Sequence, residues 1–365
     1  MRILHVVTVA DGVNSFGGPT VVCRNIAFAQ ARRGDDVTIV AGYGRLHGPM
    51  EFGETNVRIK LFNGNYLLKR RPASFFSAQG LGWMVTHARD FDVVHFHGGR
   101  EPFLLALEFA TIVRRTRFVI QTHGMIDAAR HVSLAMRVLL CLVFERAAGI
   151  LALTDKEAQV VRDRYNASSV IALKNSVEPS RLTEHTRSDV VFCARLHPRK
   201  GVQSFLDAVA ILIGEGLDIH FVVAGVDEGC LSAVESAERR FPKNLEYRGA
   251  LSPTDARKLI QEAKILVVTA KDEPFGMTIA EGLIDRTPIV LTSSVELATR
   301  LDAAGAVWLS EGTPLGVAET IRLILASPNR AEERAAAGYD WAVSHLSVES
   351  ILSRIDSIYA STNVA

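Results

Sequence analysis

The 365-residue sequence lacks an apolar run long enough to cross a membrane. The longest run, Val138–Phe144, is flanked by Arg137 and Glu145, whereas a membrane span needs about 20 residues. The amino-terminal apolar stretch is short and is interrupted by His5 and Thr8, so it does not fit a secretory signal and is typical of a first β-strand. These features predict a cytoplasmic protein, whose contact with a membrane, if any, is peripheral.

Cysteine is scarce, and its spacing fits neither a metal site nor a disulfide framework. The four cysteines contain no C-x-x-C pair and lie far apart in apolar surroundings: Cys23, Cys141, Cys193 and Cys230. Isolated cysteines of this kind are typical of buried thiols in a reducing compartment.

A strong basic charge is also absent, which argues against a nucleic-acid partner. The net charge is +1 and the pI is about 7.8. Residues 1–182 carry 23 Lys and Arg against 15 Asp and Glu, a net charge of +8, and the remaining chain carries −7. The basic clusters Lys69–Arg71 and Arg114–Arg117 suit an anionic membrane surface or a phosphorylated acceptor, or are solvated helix ends.

Short β-branched runs alternate with helical segments along the whole chain, which predicts an α/β fold with parallel sheets. A polar stretch separates two such series. We therefore expect two doubly wound, Rossmann-like domains, residues 1–182 and 183–340, facing each other across a cleft. A helical stretch, residues 341–365, is expected to return to the first domain. Open parallel sheets bind ligands at the carboxyl ends of their strands, so candidate residues are sought there.

In the first half, Gly17 and Gly18 precede a predicted helix and form either a phosphate-binding turn or an ordinary one. His123 follows a predicted strand, where an imidazole can face a ligand. His95 and His97 alternate along another strand, but without a third ligand in sight we interpret them as core residues. No metal site is predicted.

In the second half, Arg195 and Lys200 follow the first predicted strand and suit a diphosphate. The segment "KDEPFGMTIAEGL" follows another strand. It places Glu273 in a loop and Glu281 on a helix that begins near Met277. Carboxylates accept hydrogen bonds from vicinal sugar hydroxyls, and the helix start offers amide groups to phosphate.

These motifs together resemble the retaining glycosyltransferases of family 4. The segments "GGPTVVCRNIAFAQARRGDDVTIV", "THG", "LKNSVEP", "RLHPRKG" and "EPFGMTIAE" occur in that family's order, over roughly residues 1–330. The most specific element is E-x7-E downstream of R-x4-K. The resemblance implies a GT-B fold and a nucleoside-diphosphate-sugar donor, a UDP- or GDP-sugar, held mainly by the second domain.

The resemblance also implies roles for single residues. Arg195 and Lys200 hold the donor diphosphate without a metal or other cofactor, Glu281 binds the ribose, and Glu273 contacts the sugar. His123 faces the sugar near the reacting carbon. The remaining implied donor contacts are Gly17, Gly18, Phe275, Gly276, Met277 and Thr278. The resemblance further implies that the acceptor attacks the sugar from the face that the diphosphate leaves, which retains the anomeric configuration. Because no covalent intermediate is needed, Glu273 is not expected to be a nucleophile.

The sequence departs from the family pattern after the second glutamate. Five positions carry residues other than the alanine, small residues or glycines that are usual there: Gly282, Asp285, Arg286, Ser293 and Ser294. These departures bear on which donor is bound more than on whether the protein is active. The acceptor is expected to be a glycan or a lipid-linked sugar. Alternatives are a GT-B epimerase and a non-catalytic nucleotide-sugar-binding protein. A nicotinamide-dependent oxidoreductase is disfavoured because neither first strand is followed by G-x-G-x-x-G.

Overall fold

The computed structural model describes residues 1–10, 17–44, 56–68, 74–126, 132–167, 169–178 and 187–360. The chain divides into two compact units, one of Met1–Ser176 with the segment from Val348 onward, and one of Val177–Ser347. The expected domain boundary at residues 182 and 183 lies outside the described residues. The expected boundary after residue 340 falls within a helix that continues to Leu346.

The first unit is built on a sheet with parallel pairing throughout except at one edge. Its strands are β1 Arg2–Val9, β2 Asp36–Gly44, β3 Arg58–Tyr66, β4 Phe75–Phe76, β5 Val93–His97, β6 Phe118–Gln121, β7 Gly149–Ala152 and β8 Val170–Ala172, in the order β4-β3-β2-β1-β5-β6-β7-β8. The helices between them are α1 Gly17–Arg32, α2 Ala78–His87, α3 Pro102–Val113, α4 Leu134–Phe144 and α5 Asp155–Tyr165.

The central strands of this sheet, β5, β6 and β7, are buried along their whole length. Such strands need helices on both faces, because neither face can be left in water. This accounts for their nearly continuous apolar sequence.

The second unit repeats the plan with a parallel sheet. Its strands are β9 Val190–Cys193, β10 Phe221–Ala224, β11 Leu245–Tyr247, β12 Ile265–Val268, β13 Ile289–Thr292 and β14 Trp308–Ser310, in the order β11-β10-β9-β12-β13-β14. Its helices are α6 Val202–Gly214, α7 Leu231–Arg240, α8 Pro253–Glu262, α9 Met277–Ile284, α10 Ala298–Ala303, α11 Pro314–Leu325 and α12 Pro328–Leu346.

The last helix, α13 Val348–Ala360, packs in the first unit. Arg33 binds the carboxylate of Asp356 with two hydrogen bonds, of 2.7 and 3.1 Å. The hydroxyl of Tyr359 lies 2.7 Å from Nδ1 of His95 inside the core. Helix α13 thus completes the core of the first unit, although it follows the whole second unit in the sequence.

Among the described residues, no helix combines the length and the hydropathy that a membrane crossing requires.

Candidate functional site

The second unit has its topological switch point between β9 and β12, which are hydrogen-bonded neighbours. From β9 the chain continues to one side of the sheet, and from β12 it continues to the other. Loops after such strands diverge and leave a crevice at the carboxyl edge. Arg195 and Lys200 follow β9, and Glu273 follows β12, so the predicted cations and the first acid lie at this edge.

The loops after β9 and β12 are tied together through their backbones. Lys271 N donates to Arg199 O at 2.7 Å, and the Arg199 guanidinium donates to Asp272 O at 3.0 Å. Gly201 has a left-handed φ of 72°, and a β-carbon there would lie 2.1 Å from Thr269 O. Only glycine therefore allows the loop that ends in Lys200 to lie this close to the end of β12.

Lys200 and Glu273 form an ion pair between the two loops, and both side chains are largely shielded from water. They line an open pocket together with the ends of β9 and β12 and the start of α9. The other lining residues are Phe192, Cys193, Ala194, Val267, Val268, Ala270, Gly276 and Thr278.

The start of α9 supplies amide groups to this pocket. The helix begins at Met277 after Gly276, whose φ is 73°, so the prediction of a loop followed by a helix is confirmed. Phe275 is buried and anchors the loop. Glu281 lies in the second turn, near the Cys193 thiol, whose pKa is raised to about 12 by burial and secondarily by the Glu281 charge. A helix start with unpaired amides favours an anion.

Arg195 is held by an acid that sequence reasoning missed. Its Nη1 donates to both carboxylate oxygens of Glu228, at 2.7 and 2.8 Å. The loop that carries Glu228 is ordered by the neighbouring Asp227, whose carboxylate accepts the amides of Gly229, Cys230 and Leu231. Each candidate diphosphate cation is therefore paired with an acid from a neighbouring loop.

The departures from the family pattern have structural reasons in this unit. A β-carbon on Gly282 would lie 2.9 Å from the side chain of Leu266, so α9 packs closely on the sheet. Asp285 is fully buried and forms an ion pair with Arg257. Arg286 has a φ of 55°, and its guanidinium stacks over the ring of Tyr339. These three residues are not part of the pocket lining, whereas Ser294 donates a hydrogen bond of 2.9 Å to the carbonyl oxygen of Ala270, which is part of it.

The first unit places its candidates at the carboxyl edge of its own sheet. Helix α1 begins at Gly17 and Gly18, and the Thr20 hydroxyl contacts Val9 O at the end of β1. His123 follows β6, two strands from β1 in the sheet, with a left-handed φ of 52°. The edge that carries the glycines is therefore the edge that carries His123.

Both ring nitrogens of His123 have partners within this unit. Nε2 lies 3.1 Å from Nδ1 of His97, and Nδ1 lies 2.9 Å from Oδ1 of Asn175. Burial of the ring lowers the pKa of His123 to about 4. The imidazole is thus neutral at physiological pH. Its two hydrogen-bond partners fix the position of the ring.

Glu157 holds the turn that bears His123. Its carboxylate accepts the amides of Gly124 at 3.0 Å, Ile126 at 2.9 Å and Leu153 at 2.7 Å. Burial raises its pKa, and these amide contacts oppose the rise. The sequence analysis did not single out Glu157. Its place at a helix start could have been predicted, because Thr154 and Glu157 form the S/T-x-x-E capping pattern.

One group of described residues could hold a metal ion: the ligand atoms of His5, Cys23 and His97 lie within 4.8 Å of one another, all buried. Burial lowers the pKa of His5 to about 4. It also lowers the pKa of His97 well below its usual value. The histidines are thus neutral, but each is already hydrogen-bonded to other side chains, and the group lies inside the first unit rather than in the pocket of the second.

The basic clusters are only partly surface features. Arg117 donates to Ile358 O at 2.8 Å and so belongs to the packing of α13, while Arg115 is exposed. The cluster Lys69–Arg71 lies outside the described residues.

Two family models match consecutive parts of the chain. Residues 16–181 match the model described as Glycosyltransferase Family 4, and residues 175–341 match Glycosyl transferases group 1.

Curated relatives match over part of their length. A GDP-mannose-dependent alpha-(1-6)-phosphatidylinositol dimannoside mannosyltransferase of Mycobacterium tuberculosis is 29% identical over 163 residues, 43% of this chain and 42% of that protein. A poly(ribitol-phosphate) alpha-N-acetylglucosaminyltransferase of Staphylococcus aureus is 20% identical over 146 residues, 39% of this chain and 29% of that protein. The chain thus matches less than half the length of either relative.

Solved structures match over nearly the whole chain. HepE of Anabaena in complex with UDP and glucose has a TM-score of 0.73 at 15% identity, covering 99% of this chain and 100% of that chain. TarM of S. aureus in complex with UDP has a TM-score of 0.74 at 12% identity, covering 99% and 100%. At these identities the likeness bears on fold, which it identifies as GT-B. Taken with the two family models, it shows that the chain belongs to the glycosyltransferases of family 4.

Proposed function

We propose that this protein is a retaining glycosyltransferase that moves a sugar from a UDP- or GDP-sugar to a glycan or lipid-linked acceptor, in the synthesis of a bacterial surface polysaccharide. The observation that carries the proposal is the pocket in which Lys200 and Glu273 meet at the start of α9. A cation, a helix start and a carboxylate are the groups that a diphosphate and a sugar require. The two curated relatives are a phosphatidylinositol dimannoside mannosyltransferase and a poly(ribitol-phosphate) N-acetylglucosaminyltransferase.

In this proposal the donor diphosphate replaces the acids that now pair with the two cations. Lys200 leaves Glu273 for a phosphate oxygen, and Arg195 leaves Glu228. Glu273 then accepts hydrogen bonds from the donor sugar, and Glu281 accepts them from the ribose. The other predicted contacts to the donor are unchanged in this proposal: Gly17, Gly18, His123, Phe275, Met277 and Thr278.

The reaction builds positive charge on the sugar ring and negative charge on the departing diphosphate. Fixed positive groups beside the diphosphate stabilise the transition state more than the ground state, and one such contact is worth about 3 kcal/mol. We assign this role to Arg195, Lys200 and the amides at the start of α9, so activity is expected without an added metal. The acceptor attacks from the face that the diphosphate leaves, and a diphosphate oxygen takes its proton.

Calorimetry with UDP and with GDP, each without metal, tests the donor site. We expect one nucleotide to bind, and we expect Glu281→Ala and Lys200→Ala each to weaken binding at least tenfold. Glu319→Ala, at an exposed position of helix α11, serves as the control. Failure of both nucleotides to bind the wild-type protein would overturn the donor assignment.

An epimerase of GT-B architecture or a non-catalytic binding protein would also bind a nucleotide. The products separate these functions. Incubation of the donor without an acceptor gives an epimer if the protein is an epimerase. A transferase gives only slow hydrolysis until a glycan or lipid acceptor is supplied, and the anomeric coupling in the product then reports retention.

The membrane setting is proposed from α4. Leu134, Val138 and Leu142 recur every fourth residue and are exposed by 77%, 50% and 38%, so they form one apolar helix face. Exposed Arg137 and Arg146 lie on or beside the same helix. An apolar face with nearby cations suits an anionic bilayer surface. We therefore propose peripheral membrane contact through this face.

Co-sedimentation with anionic vesicles tests the membrane contact. Binding that is lost when these three residues become serine would support it. Binding should persist when Leu323, an apolar residue of the second unit exposed by 47%, becomes serine. Equal recovery in the supernatant with and without vesicles would exclude the contact.

A further inference from the structure

A row of hydrogen-bonded side chains runs through the interior of the first unit and ends at His123. His5 Nε2 lies 2.7 Å from Oε1 of Gln30, and His5 Nδ1 lies 2.9 Å from Nε2 of His97. His97 Nδ1 then lies 3.1 Å from Nε2 of His123, which contacts Asn175. We call this row, Gln30-His5-His97-His123-Asn175, the histidine relay.

The relay has one hydrogen too few if both of its ends are acceptors. It contains four hydrogen bonds, and each needs one hydrogen. Its three neutral imidazoles supply one N–H each. With an amide oxygen at Gln30 and another at Asn175, one bond would lack its hydrogen, so a proton, a metal ion or the reversal of one terminal amide must complete the row.

An added proton is disfavoured because it would place a charge on rings that are shut off from water, with His5 0% and His97 1% exposed, and burying an unpaired charge is costly. A metal ion is disfavoured by geometry. It would need lone pairs from His5 and His97 directed at one point, and their mutual hydrogen bond places a hydrogen between the two rings.

Reversal of the Gln30 amide completes the row without added charge. Gln30 Nε2 is buried and has no hydrogen-bond partner in the part of the chain that the structure describes. The two ends of an amide are nearly isosteric, so turning this group places Nε2–H on His5 and gives the nitrogen its partner. The same amide interacts with the Tyr359 hydroxyl, and a hydroxyl can donate to the oxygen of the turned group. All four hydrogen bonds then donate in the direction from Gln30 to Asn175, and each imidazole carries its hydrogen on Nδ1.

We propose that Gln30, His5 and His97 are positioning residues for His123: through the histidine relay they fix it as the Nδ1–H tautomer, donating to Asn175 and accepting from His97. The functional part of this inference rests on the proposed function, in which His123 contacts the donor. The relay starts on α1, whose first residues are the predicted phosphate contacts Gly17 and Gly18. It therefore connects the body of α1 to the turn of His123.

Long-range ¹H–¹⁵N correlation spectra of the histidine-labelled protein test the tautomer at neutral pH, with signals assigned through single His→Gln variants. We expect the His123 Nδ1 signal to be that of a protonated nitrogen and the Nε2 signal that of an unprotonated one. A protonated Nε2 would overturn the proposal. So would a stoichiometric zinc ion that shifts the His5 and His97 signals.

The distant end of the relay provides the functional test. Gln30→Met keeps the size of the side chain and removes its amide. Without a donor at position 30 the row can run in either direction, because the Asn175 amide can turn to suit, so we expect mixed tautomers at His123. We also expect a kcat about tenfold lower, since small misplacements of a site group have large effects on rate, with an unchanged KM for the donor. Gln79→Met, at an exposed position of α2, should change neither.

A second pair of variants keeps the test decisive if Gln30→Met unfolds. Asn175→Asp retains the acceptor and should keep the His123 tautomer, whereas Asn175→Leu should lose it. If both variants keep the wild-type spectrum, the relay does not set the tautomer. The spectra need no substrate, so a relay with the expected polarity in a protein without transferase activity would overturn the proposed function alone.

Discussion

Arg195 and Glu228 form a two-oxygen contact across neighbouring loops of the second unit, with Nη1 at 2.7 and 2.8 Å from the two carboxylate oxygens. The guanidinium is 62% exposed and the carboxylate 33% exposed. Water screens such a pair, so it is easily exchanged. An anion of higher charge, such as a diphosphate, would compete well for the guanidinium.

We predict that Glu228→Gln tightens the binding of the preferred nucleotide. The diphosphate then no longer competes with a carboxylate for Arg195. An exposed ion pair is worth up to about 1 kcal/mol, so the Kd should fall by up to about fivefold. Calorimetry at low salt measures the change. Glu235→Gln, which removes a surface partner of Arg239, should leave the Kd unchanged, and weaker binding by Glu228→Gln would contradict the prediction.

Lys200→Met should reduce both nucleotide affinity and stability. Glu273 is 17% exposed, and loss of its partner leaves a largely buried carboxylate unpaired, at a cost of about 1 to 3 kcal/mol. The double variant Lys200→Met/Glu273→Gln should recover stability but not affinity. Denaturant unfolding and calorimetry together complete the double-mutant cycle. Additive losses of stability would show that the two side chains do not interact.

Glu157→Gln should loosen the turn that carries His123. The amide offers one oxygen where the carboxylate accepts three backbone N–H groups, and its NH₂ group would face a donor. We expect a loss of about 1 to 3 kcal/mol in the free energy of unfolding. Hydrogen exchange at Gly124 and Ile126 should become faster. Glu145→Gln, at an exposed position, is the control, and unchanged exchange at both amides would argue against the role of Glu157.

The buried Glu108 should make stability fall with rising pH. Burial, with a smaller effect from Glu101, raises its pKa to about 8. The folded state therefore binds a proton more tightly than the unfolded state, whose carboxyl has a pKa near 4.3. Stability is then highest below the unfolded pKa and falls by up to about 1.4 kcal/mol per pH unit as the pH rises toward 8.

Unfolding of wild type and Glu108→Gln between pH 5 and pH 8 measures this contribution. The variant should lack the fall and be the more stable protein at pH 8. Parallel pH dependences for the two proteins would contradict the shift. Since the carboxyl is 1% exposed on α3, the comparison reports on the core of the first unit.

Local patterns were sufficient to predict the positions of the second-unit candidates. The β-branched run before Lys271, the proline and glycine, and the apolar helix after Gly276 each specify structure within a few residues. The placement of Glu273 in a loop and Glu281 on a helix therefore followed from the sequence.

The contacts that depend on distant segments were not predictable in this way. Apart from His123, the relay residues come from strand β1, helix α1, strand β5 and the loop after β8. Their meeting depends on the register that aligns His5 with His95 across β1 and β5. Glu228 meets Arg195 because β9 and β10 are neighbours. A sequence pattern gives neither strand order nor register, so the sequence predicts the burial of His95 and His97 but not the hydrogen-bonded row. It also does not indicate Glu228 as the partner of Arg195.

The return of α13 to the first unit affects the order in which the chain can fold during synthesis. The sheet of Met1–Ser176 is synthesised before the second unit, yet Ile358 and Tyr359, which fill its core, are synthesised after that unit. Domains usually fold as they emerge, but here the second unit is fully synthesised before the first has all of its interior side chains. Until α13 has been synthesised, the face of the first sheet that includes His95 remains uncovered by Tyr359, and a chain truncated before Val348 would keep that exposed core permanently.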